Sequence, residues 1–569
     1  MAASHYFDFH FHPVFKQFIC EFEGQYPSNR TADALLEPIN LKNPLTDFLE
    51  EEFLHILESQ SCFSQLKSGQ VTLGVANIAP IERLFAQKQG LFGVVLNSSF
   101  FTSPVDQTYM EKIRTGQISY YQLFMRELSL YQTLDKAGQV TLLSRKKPAP
   151  LATDRPNLTL ALEGAHSLCR TLIGQPGKPD TLQTSASTPL ADDFKTHPAL
   201  DAAQSLQHLQ QALWDSDLDL MSLVITHLSH IPEQLIATHA FGLKMLKDEA
   251  AYPIGNGITP AGKRLIDQAY TLQVNVGTSD VPDLKAAPVL IDIKHMSLKS
   301  RLDFYEYRRS KGYQLPIIAS HMGVTGYSID EWKAALNQAT MIRLKASNMP
   351  IVRLETERRI AGKWGTVNKT FTYNPWTINL MDEDIEEVLN SNGLIGISLD
   401  VRILGWQNAL GKGEKEEYIS AEEFRFFFPD LSKKLAAEKI DPAESFLVPT
   451  KEERHPLAMC FNILHVVSTG QIRTDKDPWE HITIGSDFDG LINPVINCRD
   501  ASKTSALEAA LIRWLPVAEE AYRKENGGGP LLPKDANGRI NNDALKAHIR
   551  GILYENGKNF INRWLNSSL

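Results

Sequence analysis

Short, continuous apolar runs and longer stretches of helical periodicity take turns along most of this chain. The apolar runs lie near residues 6–11, 71–77, 158–163, 220–226, 289–294, 315–320, 394–399 and 482–487. They are apolar throughout rather than at alternate positions, which predicts strands of a parallel sheet buried on both faces. Between them the apolar spacing switches to three and four. Leu45, Phe48, Leu49, Phe53, Leu54 and Leu57 predict a helix over 44–65, and Leu123, Phe124, Leu128, Leu130 and Leu134 predict one over 120–137. Further helices are expected near 201–215, 297–312, 455–468, 505–524 and 542–565. Thr259 and Pro260 suit the N-cap and first turn of a helix running to Leu272. Gly393 would cap a helix over 382–392.

Eight strands separated by helical segments fit an α/β architecture, a (β/α)8 TIM barrel, with a doubly wound open sheet as the competitor. The 569 residues read as one barrel domain, with long insertions near 14–70, 171–200, 322–375 and 405–450 and a helical C-terminal region. The residues at the strand ends decide for the barrel. His10 and His12 end the first run, Glu163 the third, His227 the fourth, His295 the fifth, His321 the sixth and Asp487 the eighth. A barrel brings all these strand ends to one mouth.

Composition narrows the function classes. At 43% hydrophobic and 22% charged, the chain is ordinary globular protein. Its net charge of −9 and lack of a Lys/Arg-rich block argue against a nucleic-acid partner. No apolar run approaches the roughly 20 residues of a membrane helix. No basic segment followed by an apolar core opens the chain, so a cytoplasmic protein without membrane contact is expected. The cysteines, Cys20, Cys62, Cys169, Cys460 and Cys498, are odd in number and scattered. They fit a reducing compartment and offer no thiolate zinc spacing.

The residues after the strands suggest metal chemistry. Residues i and i+2 of a strand share a face, so His10 and His12 can converge on one ion. Histidine and carboxylate donors without thiolates suit zinc first, with manganese, cobalt or iron as alternatives. The candidates exceed one tetrahedral site, which favours two divalent ions about 3.5–4 Å apart. A carboxylate such as Glu163 can bridge them. Water between two cations supplies hydroxide at neutral pH. Asp487 beside it can orient it, take its proton and pass that proton to a leaving nitrogen. The implied reaction is metal-assisted hydrolysis of an acyl or phosphoryl bond.

Several stretches then carry a more specific likeness. They are Glu163-Gly-Ala-His166-Ser-Leu, Leu223-Val-Ile-Thr-His227, Gly257-Ile-Thr-Pro-Ala-Gly-Lys263, Asp292-Ile-Lys-His295-Met-Ser, Ile318-Ala-Ser-His321, Ile484-Gly-Ser-Asp487-Phe-Asp-Gly490 and the tail Asn556-Gly-Lys-Asn-Phe-Ile561. In this order they resemble the amidohydrolase superfamily and, within it, the renal (membrane) dipeptidase family. The resemblance implies that His10 and His12 bind one zinc, that Glu163 bridges, and that His295 and His321 bind the second zinc. It implies that His227 contacts the substrate carbonyl or tetrahedral intermediate and that Asp487 handles the proton. His166 is expected to steady the Glu163 loop, and Asp489 to cap a turn.

Two departures from that family bear on specificity. The family generally has His-x-Asp on its first strand, where this chain has His10-x-His12. The family also places an Arg before its seventh-strand helix to hold a substrate carboxylate; here Ile378 of Trp376-Thr-Ile378-Asn379 stands there. An apolar side chain cannot hold a carboxylate. Arg343, Arg353 or Arg402 would have to substitute, and free dipeptides are in doubt as substrates. The expected function is a dipeptidase-like metal-dependent hydrolase of an amide bond in a small molecule or dipeptide-like substrate. Lactone or phosphoester hydrolysis is the alternative on the same site, weakened because the fourth strand has no lysine for a carbamylated bridge. A non-catalytic binding barrel is the alternative of another class. The insertions would shape the pocket or a subunit contact, the latter making a homo-oligomer.

Overall fold

The computed structural model describes residues 5–20, 31–39, 58–89, 93–94, 97, 105–148, 150–175, 201–231, 235–242, 248–278, 281–365, 369–405, 416–435, 437–440, 455–567 and 569. Most of the helix expected over 44–65 lies outside them, as do most of 171–200 and parts of 14–70 and 405–450.

All eight apolar runs form strands: β1 (Tyr6–Phe11), β2 (Val71–Ile78), β3 (Asn157–Glu163), β4 (Leu220–Val224), β5 (Leu290–Asp292), β6 (Ile318–Met322), β7 (Leu394–Ile397) and β8 (Ile482–Ile484). They pair in parallel, each with the next, from β1 to β8. The two ends of the row then meet. Phe11 bridges to Phe488, the Asp487 amide donates to the His10 carbonyl (2.9 Å), and the His12 amide donates to the Phe488 carbonyl (3.0 Å). The sheet is therefore a (β/α)8 barrel, not an open doubly wound sheet.

Helices lie between the strands where apolar spacing placed them, at Tyr120–Lys136, Ala202–Asp215, Pro260–Thr271, Leu298–Lys311, Asp382–Asn390 and His455–Arg473. Thr259 caps its helix through the Gly262 amide, with Pro260 in the first turn, as expected. The cap of Asp382–Asn390 differs from expectation. The helix ends at Ser391 because Asn392, with φ of 56°, already takes the left-handed conformation expected of Gly393.

The C-terminal region is helical but broken. Asn542–Arg550 and Asn556–Leu565 are joined by a π-helical turn over Gly551–Glu555. Beyond that turn Asn556 donates through Nδ2 to the carbonyls of Trp479 and Ile482, both at 2.7 Å. The last helix brings Phe560, Ile561 and Trp564 against Phe7, Phe9, Leu73, Met221, Ile318 and Leu394. Apart from Phe9, these are residues from the early halves of the strands, so the helix seals the barrel end opposite the candidate ligands.

The 322–375 insertion is mainly β-structure. Strands Leu336–Leu344 and Pro350–Thr356 form a hairpin, which Glu416–Ser420 and Ala437–Ile440 of the 405–450 insertion extend to four strands. Trp332, Phe424, Phe427 and Phe428 form its own small core. Two buried carboxylates fix it to the barrel. Glu417 accepts from the Thr377 amide (2.6 Å), and Glu423 accepts from the Ser297 hydroxyl (2.6 Å) and the Gly257 amide (3.2 Å). Beneath them the buried Arg301 guanidinium joins three segments. It pairs with Asp384 (2.9 Å) and donates to the carbonyls of Met296, Thr377 and Asn379.

All five cysteines are buried, and none forms a disulfide among the described residues. Among the described residues no helix is long and apolar enough to cross a membrane.

Candidate metal centre

The expected ligands come together. On β1 the pairing register shifts between Asp8 and Phe11. Such an irregularity re-aims side chains, and here Phe9 packs on the sealing helix while His10 turns to the mouth. The Nε2 atoms of His10 and His12 lie 3.2 Å apart. Glu163 ends β3, and Gly164 after it takes φ of 84°, which lets the chain turn sharply. A Cβ at Gly164 would meet the His166 ring at 2.3 Å, so the Glu-Gly pair is a packing requirement as well.

The Glu163 carboxylate sits between two sets of imidazoles. Its Oε2 is 3.4 Å from His10 Nε2 and 3.2 Å from His12 Nε2. Its Oε1 is 3.2 Å from His295 Nε2 and 3.7 Å from His321 Nε2. Asp487 approaches from β8, with Oδ1 at 3.6 Å from His12 and 3.8 Å from His10, and Oδ2 at 3.9 Å from His321. Three ligand sets are close enough to hold an ion: His10, His12 and Glu163; Glu163, His295 and His321; and His10, His321 and Asp487. His295 and Asp487 reach the mouth from left-handed backbone, with φ of 64° and 61°. For non-glycine residues that conformation is uncommon and concentrates at functional sites.

The donors fit a cation by a test internal to the site. Glu163 Oε1 and His321 Nε2 are buried and without a hydrogen-bond partner. Buried polar groups are almost always satisfied, so two orphaned acceptors facing each other mark a place for a ligand. Two of the four opposite ring nitrogens are already tied, whereas Nδ1 of His10 and Nδ1 of His295 have no hydrogen-bond partner among the described residues. His12 Nδ1 lies 3.1 Å from the Asn77 carbonyl and His321 Nδ1 lies 2.8 Å from the Ser320 hydroxyl. A proton on His12 Nδ1 leaves Nε2 free to ligate.

Electrostatics agree. Burial pushes His295 down to about 3 and His321 well below the ordinary imidazole range, so both imidazoles are neutral, the form that can ligate a cation. Burial also opposes a charge on His12, but its bonds to Asp487 and Glu163 lift it to about 10. Burial would raise Glu163, yet the charges of His10 and His227 hold it well below the usual carboxylate range. The carboxylates thus favour positive charge in the cluster, which is the demand a cation would meet.

His227 stands apart from the two ligand sets, with Nε2 3.9 Å from Glu163 Oε1. Its orientation comes from a residue that sequence reasoning missed. Glu82, 0% exposed, lies in the loop after β2. Its carboxylate accepts from His227 Nδ1 (2.6 Å), the Leu228 amide (2.9 Å) and the Ser229 hydroxyl. The bond to Nδ1 aims Nε2 at the cleft. His166 is a supporting residue, with Nε2 3.0 Å from the Pro80 carbonyl. Asp489 accepts from the amides of Gln60 and Ser61, far from it in the chain, and so ties that segment to the β8 loop.

The cleft above the ligands is mainly apolar, lined by Phe15, Ile19, Ile81, Phe85, Leu228, Ile378 and Leu491 among others. Ile378 does line it, packed so near Gly242 that a Cβ there would meet its Cδ1 at 2.9 Å. Of the three arginines considered as substitutes, only Arg402 lines the cleft. It is forked onto Asp400, with Nε at 2.9 Å and Nη2 at 2.5 Å. Arg343 donates to the Asn348 carbonyl and Arg353 pairs with Glu416, both on the insertion sheet.

No family model and no curated protein matches the chain. Among solved structures it is similar to a metallo peptidase from Rhodobacter sphaeroides liganded with a phosphinate mimic of the dipeptide L-Ala-D-Ala, at 14% identity over 98% of this chain and 99% of that one, with a TM-score of 0.46. It is similar to the dipeptidase AC, a metallo peptidase, at 14% identity over 98% of each chain, with a TM-score of 0.45. It is also similar to the probable dipeptidase PvdM from Pseudomonas aeruginosa, at 13% identity over 99% of this chain and 96% of that one, with a TM-score of 0.44. These three solved structures are metallopeptidases and dipeptidases, each at 14% identity or less.

Proposed function

We propose that the protein is a metal-dependent hydrolase that cleaves an amide bond in a small substrate. One observation carries the reading. A buried carboxylate, Glu163, presents one oxygen to His10 and His12 and the other to His295 and His321. The order of the Glu-Gly-x-His-Ser, Ser-His and Gly-Ser-Asp-Phe-Asp-Gly stretches, resembling renal dipeptidases, supports the same reading.

In this reading His10, His12 and Glu163 hold one divalent ion, zinc by donor type, and Glu163, His295 and His321 hold a second. Ions there supply a Lewis acid for the scissile carbonyl and make water acidic enough to react at neutral pH. The chain's own residues do the rest. Asp487, 16% exposed, orients the attacking water, takes its proton and returns it to the leaving nitrogen. His227, held through Nδ1 by Glu82, offers Nε2 to the carbonyl oxygen as negative charge develops on it. The apolar walls exclude water and accept uncharged parts of the substrate.

The test is turnover by the zinc- or manganese-reconstituted chain on a panel of dipeptides, N-acyl amino acids and simple amides. Cleavage of at least one amide is expected. Asp487→Asn should keep its metal and lose about a hundredfold or more in kcat, the usual scale for a positioned proton-transfer group. A reconstituted chain inert on the whole panel, or an Asp487→Asn variant of unchanged kcat, would refute the reading.

A further inference from the structure

Three amine or guanidinium side chains line the cleft among the described residues, Lys16, Lys294 and Arg402. Two are committed: Arg402 is forked onto Asp400, and Lys16 places its charge near Asp489. Lys294 is different. It is 2% exposed, directly precedes His295 and lines the cleft. Among the described residues its side-chain nitrogen makes no ion pair or hydrogen bond.

The surrounding carboxylates all have other engagements. Those whose charge reaches Lys294 are Asp487, Glu163, Asp400 and Asp292. Glu163 and Asp487 lie within the imidazole cluster, at 3.2–3.9 Å from its ring nitrogens. Asp400 is held by Arg402. Asp292 accepts from the backbone amides of Lys294 (3.0 Å) and Ser320 (3.2 Å). A buried amine that lines the cleft beside the reacting centre, with no acceptor among the described residues, has its donors available to whatever enters. The wall at Ile378 and Leu228 offers no donor side chain.

We propose that Lys294 is a specificity-determining residue, whose side-chain nitrogen donates to an anionic oxygen carried by the substrate close to its scissile bond. This rests on the hydrolase reading and narrows it. The substrate class becomes small amides bearing a carboxylate next to the cleaved bond, with an apolar remainder to match Phe15, Ile19 and Phe85. The lysine contact to that carboxylate comes from the end of β5.

The test uses the full, metal-loaded chain and two probes: a phosphinate isostere of alanyl-alanine as the free acid, and its methyl ester. Dissociation constants are measured by calorimetry for wild type, Lys294→Met and Lys294→Arg, with metal content checked in each. Wild type should prefer the acid by about tenfold or more, the usual scale for a charge-assisted hydrogen bond in a dry site. In Lys294→Met that preference should fall to about one while ester affinity and metal content stay unchanged; Lys294→Arg should restore part of it. A wild type indifferent to acid or ester, or a Lys294→Met variant that keeps the preference, would overturn the proposal while leaving the hydrolase reading intact. Failure of both probes to bind metal-loaded wild type would instead overturn the hydrolase reading and this assignment with it.

Discussion

Replacing Glu82 by glutamine keeps the shape of a fully buried side chain and removes its charge. Burial alone would raise the Glu82 carboxyl. The charge and hydrogen bond of His227, with smaller help from His166 and Ser229, outweigh burial and hold it at about 2, against an ordinary 4.5. That difference corresponds to roughly 3 kcal/mol in favour of the ionised carboxylate in the folded chain. The sign follows from the depressed value. The contribution is complete above pH 4.5 and is lost as the pH falls through about 2. In urea denaturation at pH 7, Glu82→Gln should therefore be less stable than wild type by about 2–3 kcal/mol. The gap should shrink steadily between pH 5 and pH 3, where other carboxylates affect both proteins alike. The variant should also lose about 10–100-fold in kcat with little change in KM, because His227 loses the partner that aims Nε2. A stability gap independent of pH, or a variant as stable as wild type at pH 7, would refute the role given to Glu82.

A second consequence lies outside the site. Arg301→Ala should destabilise the fold by about 3–5 kcal/mol, since it strands the buried Asp384 carboxylate and three backbone carbonyls; thermal or urea unfolding measures this.

The barrel and the ligand cluster were legible in the sequence for the same reason. Strands buried on both faces read as continuous apolar runs, and a barrel forces their ends to one mouth. His295 and Asp487 could therefore be placed although β5 and β8 stop at Asp292 and Ile484, before the apolar runs were expected to end. Glu82 was not legible. It comes after Ala79-Pro-Ile in a loop, where a glutamate is ordinarily a solvated charge, and only the folded chain brings it to His227, 145 positions away. Lys294 was hidden for another reason: read as part of a strand, it carries no periodic signal that distinguishes a cleft-facing amine. The outer part of the insertion sheet was also missed, because Pro350–Thr356 pairs with Glu416–Ser420 across a long gap. Such non-local pairing leaves no local pattern. The cap at Ser391 was misplaced by two residues because Asn392 can adopt the conformation usually left to glycine.

Whether Glu163 joins two metal positions can be read from metal analysis of the reconstituted chain. The expected result is about two divalent ions per wild-type chain, one fewer in His321→Asn, and loss of both in Glu163→Gln while circular dichroism shows all three chains folded. A wild-type chain that takes up no ion, or a Glu163→Gln variant that binds as wild type does, would contradict the account.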